Sequence, residues 1–153
     1  MSSLGFRQKD NYTRCMNSAI YSLAMREHSR LELFRKLSQK TFAEGVDLNQ
    51  LLDELEEKGY LNEERFVESF IRYRISRGQG PVKIRNELKQ RGIQSHLITQ
   101  KINEAEANWL DLAAQLLEKK YAGQAASDFK EKARYMRFLT ARGFTVDVIR
   151  ELV

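Results

Sequence analysis

Three short stretches decide the fold: Leu37-Ser38-Gln39-Lys40-Thr41-Phe42, Leu88-Lys89-Gln90-Arg91-Gly92-Ile93 and Leu139-Thr140-Ala141-Arg142-Gly143-Phe144. Their leucines stand 51 residues apart both times, and the chain is 153 residues long. Each copy reads Leu, two residues, a base, then Gly in two of the three, then a large apolar residue. The mechanical meaning is a helix that packs its leucine and ends on a glycine in the left-handed conformation, with the next apolar residue closing over the turn. A polar residue and an apolar one follow in each copy, as Asp47-Leu48, His96-Leu97 and Asp147-Val148. The last two copies keep one register, and the first needs a two-residue insertion. Identical spacing over the full length points to a tandem repeat, whose units are small enough to need packing against their neighbours.

Working outward from these turns, helix punctuation recurs along the chain. Residues 13–27 carry Met16, Ile20, Leu23 and Ala24 at helical spacing. Ser29-Arg30-Leu31-Glu32 reads as a capping box opening a helix with Leu33, Phe34 and Leu37 inward. A third helix begins near Asp47, buries Leu48, Leu51, Leu52 and Leu55, and stops at Gly59. Asn62 caps the next, with Phe66, Phe70, Ile71 and Tyr73, which ends at Gly78. Pro81 restarts the chain at a first helical position, where its missing amide costs no bond. Ile84 and Leu88 face inward before Gly92. Ser95 begins a helix with Ile98 and Ile102, and Asn108 opens one holding Trp109, Leu112, Leu116 and Leu117, followed by Gly123. Ser127 caps a helix with Ala133, Phe138 and Leu139 that ends at Gly143, and Thr145 opens a last one with Val148, Ile149 and Leu152. The expectation is nine helices and no strand, an all-α protein of three three-helix repeats over residues 1–61, 62–107 and 108–153.

Composition agrees. Apolar residues make up 42% and charged residues 31%, enough of each for a core and a solvated surface. One proline and eight glycines are too few for a many-turned β-sandwich or barrel. The lone cysteine, Cys15, cannot form an internal disulfide, which suits a reducing compartment. No apolar run reaches the roughly 18 residues of a membrane span, and the first residues lack the apolar core of a secretion signal. A cytoplasmic protein without membrane contact is expected.

Catalytic chemistry is scarce. His28 and His96 have no partner histidine or cysteine at ligand spacing, so no metal site is expected. Cys15 beside Arg14 reads as a small core residue. Gly78-Gln79-Gly80-Pro81 matches neither a dinucleotide fingerprint nor a Walker loop, and no cofactor is expected. The acidic run Asp53-Glu54-Leu55-Glu56-Glu57 reads as a solvated helix face. An enzyme is not expected.

Charge is the informative feature. The net charge is +5, but between residues 72 and 91 seven bases (Arg72, Arg74, Arg77, Lys83, Arg85, Lys89, Arg91) face one acid, Glu87. Arg74 with Arg77, and Arg85 with Lys89, fall in rows on their helices, and the two helices meet at the 78–81 turn. Lys130, Lys132, Arg134, Arg137 and Arg142 form a second cluster at the matching place in the third repeat. Phe66, Phe70, Phe138 and Phe144 fall on core positions. Tyr73 and Tyr135, beside bases, are the aromatics free to stack on a ligand.

Four segments together resemble the RecX family, bacterial regulators of the RecA recombinase. They are Arg26-Glu27-His28-Ser29-Arg30-Leu31-Glu32-Leu33; Gly59-Tyr60-Leu61-Asn62-Glu63-Glu64-Arg65-Phe66; Gly80-Pro81-Val82-Lys83-Ile84-Arg85-Asn86-Glu87-Leu88, continuing through Ile93; and Arg137-Phe138-Leu139-Thr140-Ala141-Arg142-Gly143-Phe144. The resemblance implies tandem three-helix units in an elongated, curved body that lies in the groove of the RecA–DNA filament. It implies inhibition of strand exchange, ATP hydrolysis and coprotease activity, by limiting filament growth or promoting disassembly. The partners so implied are the RecA filament and the DNA within it, with weak binding of naked DNA open, and a solenoid of this size can act as a monomer. Thr41, where the other copies have glycine, departs from the pattern and predicts a different first turn. The family supplies no catalytic residues. The contact residues expected from charge are Arg72, Arg74, Arg77, Lys83, Arg85, Lys89, Arg91, Lys132, Arg134, Arg137 and Arg142. A general DNA-binding helical protein acting without RecA is the alternative.

Overall fold

A computed structural model describes residues 3–122 and 124–153, with side chains from residue 9 onward. Nine α-helices and one 3-10 turn make up the regular structure among these residues, and none of them forms a strand. The helices are α1 (Ser3–Met25), α2 (Arg30–Ser38), α3 (Leu48–Glu57), α4 (Glu63–Ser76), α5 (Pro81–Gln90), α6 (Ser95–Glu104), α7 (Trp109–Tyr121), α8 (Phe129–Arg142) and α9 (Val146–Leu152).

Caps explain most of the starts. Ser29 Oγ accepts from the Glu32 amide at 3.1 Å, and Glu32 Oε1 accepts from the Ser29 amide at 3.1 Å, a complete capping box. Asp47, Asn62, Asn108 and Thr145 each accept from the amide three residues on, as their sequence positions predict. Two starts differ from expectation. Helix α1 begins upstream of residue 13 and runs through it, the Thr13 hydroxyl bonding back to the Lys9 carbonyl at 3.1 Å. Helix α8 is capped by Asp128, whose carboxylate accepts from the Glu131 amide at 2.8 Å. The expected cap, Ser127, donates to the Glu131 carboxylate instead. Helices α6 and α9 start as expected, at Ser95 and after Thr145, so His96 and Asp147, which the repeat aligns, are each the second residue of their helix.

That placement of His96 and Asp147 revises the repeat. The aligned caps are Asp47, Gln94 and Thr145, so the first copy carries four extra residues after its apolar closure rather than two. Those residues, Ala43-Glu44-Gly45-Val46, lie in and after a 3-10 turn (Thr41–Ala43). The left-handed residue of this copy is Gly45, at φ +75°, whereas Gly92 and Gly143 stand at +82° and +93° in the others. Leu37, Leu88 and Leu139 are all fully buried, as the repeat requires. At α8 the exit is a Schellman turn: the Phe144 amide donates to the Leu139 carbonyl and the Gly143 amide to Thr140. The same pair of bonds closes α3 at Gly59 and α4 at Gly78. Helix α7 ends on Ala122 at φ +54°; the expected stop, Gly123, lies outside the described residues.

The chain divides into two compact units, residues 1–67 with 91–93, and residues 68–90 with 94–153. In the first, α2 and α3 pack on α1 around Leu33, Leu37, Leu51, Leu52, Leu55 and Leu61. The line that α1 buries most fully is Cys15, Ala19 and Ser22; Met16, Ile20 and Leu23 flank it and Ala24 is exposed, contrary to its expected inward position. Small residues on that line let α1 approach its neighbours closely. Phe42, Ala43 and Val46 pack on this core, with Arg14 over the Phe42 ring at 4.5 Å. In the second unit, Ala113, Leu139, Phe144 and Ile149 join α7, α8 and α9, with Trp109, Leu112 and Leu117 against them. Ile71, Ile84, Leu88, Ile98 and Ile102 are buried on α4, α5 and α6.

Two glycine turns seat on the starts of other helices. Within the first unit, a Cβ at Gly92 would stand 2.9 Å from both Leu31 Cβ and Cδ2. Within the second, a Cβ at Gly143 would meet Lys83 Cβ at 2.4 Å and its backbone nitrogen at 2.7 Å. Gly80 and Val82 donate their amides to the carbonyls of Arg142 and Gly143, at 2.7 and 2.9 Å. Proline 81 sits between those two donors, so its missing amide breaks neither bond.

Candidate binding surface

The basic residues of α4 and α5 do not all face solvent. Arg74 Nε lies 3.1 Å from Glu87 Oε2, both side chains about four-fifths buried, and its guanidinium covers the Phe70 ring at 4.7 Å. The one acid of this stretch is thus neutralised inside the fold, and Arg74 does not join Arg77 in an open row as its spacing suggests. Arg91 is grouped with the first unit, its Nε 3.5 Å from Glu32 Oε2. Arg85 is half-buried and donates to Thr99 Oγ1 at 2.9 Å, and Lys83 is half-buried beneath the Gly143 turn. Arg72, Arg77 and Lys89 are exposed.

On α8, Lys130, Arg134 and Arg137 fall on one face at helical spacing, and all are exposed. Lys132 is exposed on a different face, and Arg134 covers the Tyr121 ring at 5.4 Å. Arg142 is half-buried: it donates to the Arg77 carbonyl at 3.3 Å and lies 5.6 Å from the centre of the Phe138 ring. Of the two candidate stacking tyrosines, Tyr73 is 58% exposed. Tyr135 is not available: it is buried, stacks on Tyr121 at 4.0 Å and donates to the Gln124 carbonyl. Phe66 and Phe144 are buried as expected, while Phe70 and Phe138 are half-buried.

Lys119 and Lys120, at the end of α7, were missing from the expected set. They line an open cleft of about 890 Å³ with Arg77 and Arg142. Each is an ordinary exposed lysine in the last turn of a helix, and only its neighbours from α4 and α8 give it meaning.

Of the groups capable of proton or metal chemistry, His28, Cys15 and much of the α3 acidic run have structural roles, while His96 is exposed. His28 is buried; burial lowers its pKa, against the opposing hydrogen bond between Nδ1 and the Arg26 carbonyl. Burial raises the Cys15 thiol, so it stays protonated beneath the Phe42 carbonyl. The acidic run of α3 is partly paired: Asp53 and Glu56 hold Arg30 at 2.7 and 3.1 Å, and Glu54 accepts from Tyr12 and Lys58. Burial and the Glu54 carboxylate push Tyr12 up to about 12. No group of acids, histidines and cysteine among the described residues is arranged to hold a metal ion. No helix among them is long and apolar enough to cross a membrane.

Capped three-helix groups, with cations concentrated on α4, α5, α7 and α8, define an all-α helical repeat protein. Residues 62–102 match the family model described as RecX, second three-helix domain, and residues 106–153 match RecX, third three-helix domain. The chain is 43% identical to the regulatory protein RecX of Pseudomonas putida KT2440, across 89% of this chain and 86% of that one. It is 40% identical to the same-named protein of Halorhodospira halophila, across 88% and 83%. The crystal structure of RecX from Lactobacillus salivarius superposes with a TM-score of 0.77 at 19% identity, covering 94% of this chain and 95% of that one. A second RecX crystal structure gives 0.78 at 20% identity, with 94% and 73% covered. The chain belongs to the RecX family.

Proposed function

We propose that the protein is a non-enzymatic regulator that binds the RecA–DNA filament and inhibits RecA recombinase, ATPase and coprotease activities by limiting filament extension or promoting disassembly. It acts in the cytoplasm, as a monomer, through three three-helix repeats at residues 1–61, 62–107 and 108–153. The supporting observation is that Glu87, the one acid among seven bases, is already matched to Arg74. Arg72, Arg77 and Lys89 therefore present positive charge that no nearby carboxylate of this stretch cancels. A nucleoprotein filament offers both phosphates and acidic protein surface to such a face.

RecA ATPase on single-stranded DNA tests this directly. Added protein is expected to inhibit turnover, and charge reversal at Arg77 and Arg85 should raise the concentration needed by about tenfold or more. Where both contact phosphates on a single strand, the salt dependence should also flatten, by about 1.4 in the log–log slope. Equal inhibition by variant and wild type would show that this face is not the contact. Tight binding to naked DNA with no effect on RecA would favour a general DNA-binding role.

A further inference from the structure

The cleft beside the end of α4 has a composition that selects its occupant. Its apolar lining includes Leu112 and Leu116 of α7 and Phe138 of α8. Its cations are Arg77, Lys119, Lys120 and Arg142, beside the Glu87-paired Arg74, and no carboxylate is among its lining residues. Every lining residue belongs to the second compact unit. Like charges gathered round a partly apolar hollow repel one another, and an anionic occupant relieves that repulsion.

The aromatic floor distinguishes among anions. A single strand of nucleic acid binds best where an aromatic face is open for a base to stack. Phe138 is already covered: Lys120 Nζ stands 5.7 Å and Arg142 Cζ 5.6 Å from its ring centre, and Tyr121 meets it edge-on at 5.8 Å. Tyr73 is the one exposed ring of the lining, with Arg74 Cζ 6.0 Å from its centre. Successive bases need more than one such ring, and the rest of the open apolar lining is aliphatic side chains beside cations. An apolar side chain fills the first and carboxylates pair with the second.

We propose that the Arg77–Lys119–Lys120–Arg142 cleft is a docking site for an acidic peptide segment carrying an apolar anchor residue. The proposal does not rest on the function above, because its assay contains neither RecA nor DNA. Lys119 and Lys120 also lie outside the filament-contact set, so either reading can fail alone.

The probe is a short fluorescein-labelled peptide of glutamates around a central pair of leucines, titrated with the full chain and followed by anisotropy. Saturable binding is expected. It should weaken by about tenfold or more in Lys119→Glu with Lys120→Glu, and by less in Lys119→Ala with Lys120→Ala. Lys9→Glu with Lys40→Glu makes the same change in net charge on exposed residues elsewhere and should leave binding intact. Replacing the leucines by glycine should weaken it too. Circular dichroism and the melting temperature report that each variant is folded. Equal losses in the two charge-reversed pairs, or indifference to the leucines, would overturn the proposal in favour of bulk charge attraction. Tighter binding of an unlabelled oligothymidylate, lost in the same Lys119 and Lys120 variants, would overturn it in favour of nucleic acid.

Discussion

The turns after α5 and α8 carry nearly the same sequence, Arg91-Gly92-Ile93 and Arg142-Gly143-Phe144, and seat against different kinds of surface. Gly92 rests on the side chain of Leu31, whose Cδ2 can rotate away while its Cβ, at the same 2.9 Å, cannot. Gly143 rests on the backbone of Lys83, and the neighbouring Gly80 and Val82 amides donate into the same turn. Backbone against backbone leaves nothing to give way. The same glycine therefore does two jobs at residue 143, taking a left-handed φ and allowing contact, whereas at residue 59 it does only the first. Gly59 stands at φ +81° with no atom within 4 Å of a would-be Cβ.

Substituting alanine at these three positions separates the two jobs. Gly143→Ala should cost the most, about 3 kcal/mol or more, since left-handed strain adds to a clash that only movement of α5 can relieve. Gly92→Ala should cost about 2 kcal/mol, with Leu31 yielding part of the space. Gly59→Ala should cost about 1 kcal/mol, the strain alone. Urea unfolding of the three variants gives the order; a Gly59 variant as damaged as the Gly143 variant would mean that close contact contributes nothing.

A smaller effect distinguishes the first unit by pH. Burial lowers the His28 pKa below its ordinary 6.5, so the unfolded chain takes up a proton there before the folded chain does. Stability from this group is complete above about pH 6.5 and falls as pH drops toward the folded value, by at most about 1.4 kcal/mol per pH unit. Melting temperatures should accordingly decline more steeply between pH 7 and 5.5 in wild type than in His28→Gln. Parallel declines would show that His28 titrates alike in both states. Glu32 acts lower on the scale: burial opposes its charge, but the Ser29 amide and Arg26 outweigh that and hold its carboxyl below the usual value. Its contribution is present above about pH 4.5 and lost further into acid, which leaves the His28 window clear.

Much of this architecture was legible from residue order, because it depends on local chemistry. The capping box at Ser29, the caps at Asp47, Asn62, Asn108 and Thr145, and the left-handed glycines after α3, α4, α5 and α8 all act within a few residues of where they are written. The errors arose where two near neighbours compete for one role. Ser127 and Asp128 both suit an N-cap, and the carboxylate took the amide. His96 and Asp147 resemble caps, but the register follows Gln94 and Thr145, which lengthens the insertion in the first copy from two residues to four.

The candidate surface was far less legible, since its charge depends on partners distant in sequence. Charge density along the chain singled out residues 72–91. It could not show that Arg74 folds inward onto Glu87 and Phe70, or that Arg91 meets Glu32. Nor could it show that Lys119 and Lys120 join Arg77 and Arg142 around one cleft. Residue order fixes the all-α class, most helix starts and stops and the 51-residue period, because capping and left-handed turns are set by bonds three to five residues long. Tertiary structure alone decided which cations face outward and which glycine bears on backbone, because those outcomes depend on what each helix meets after it packs.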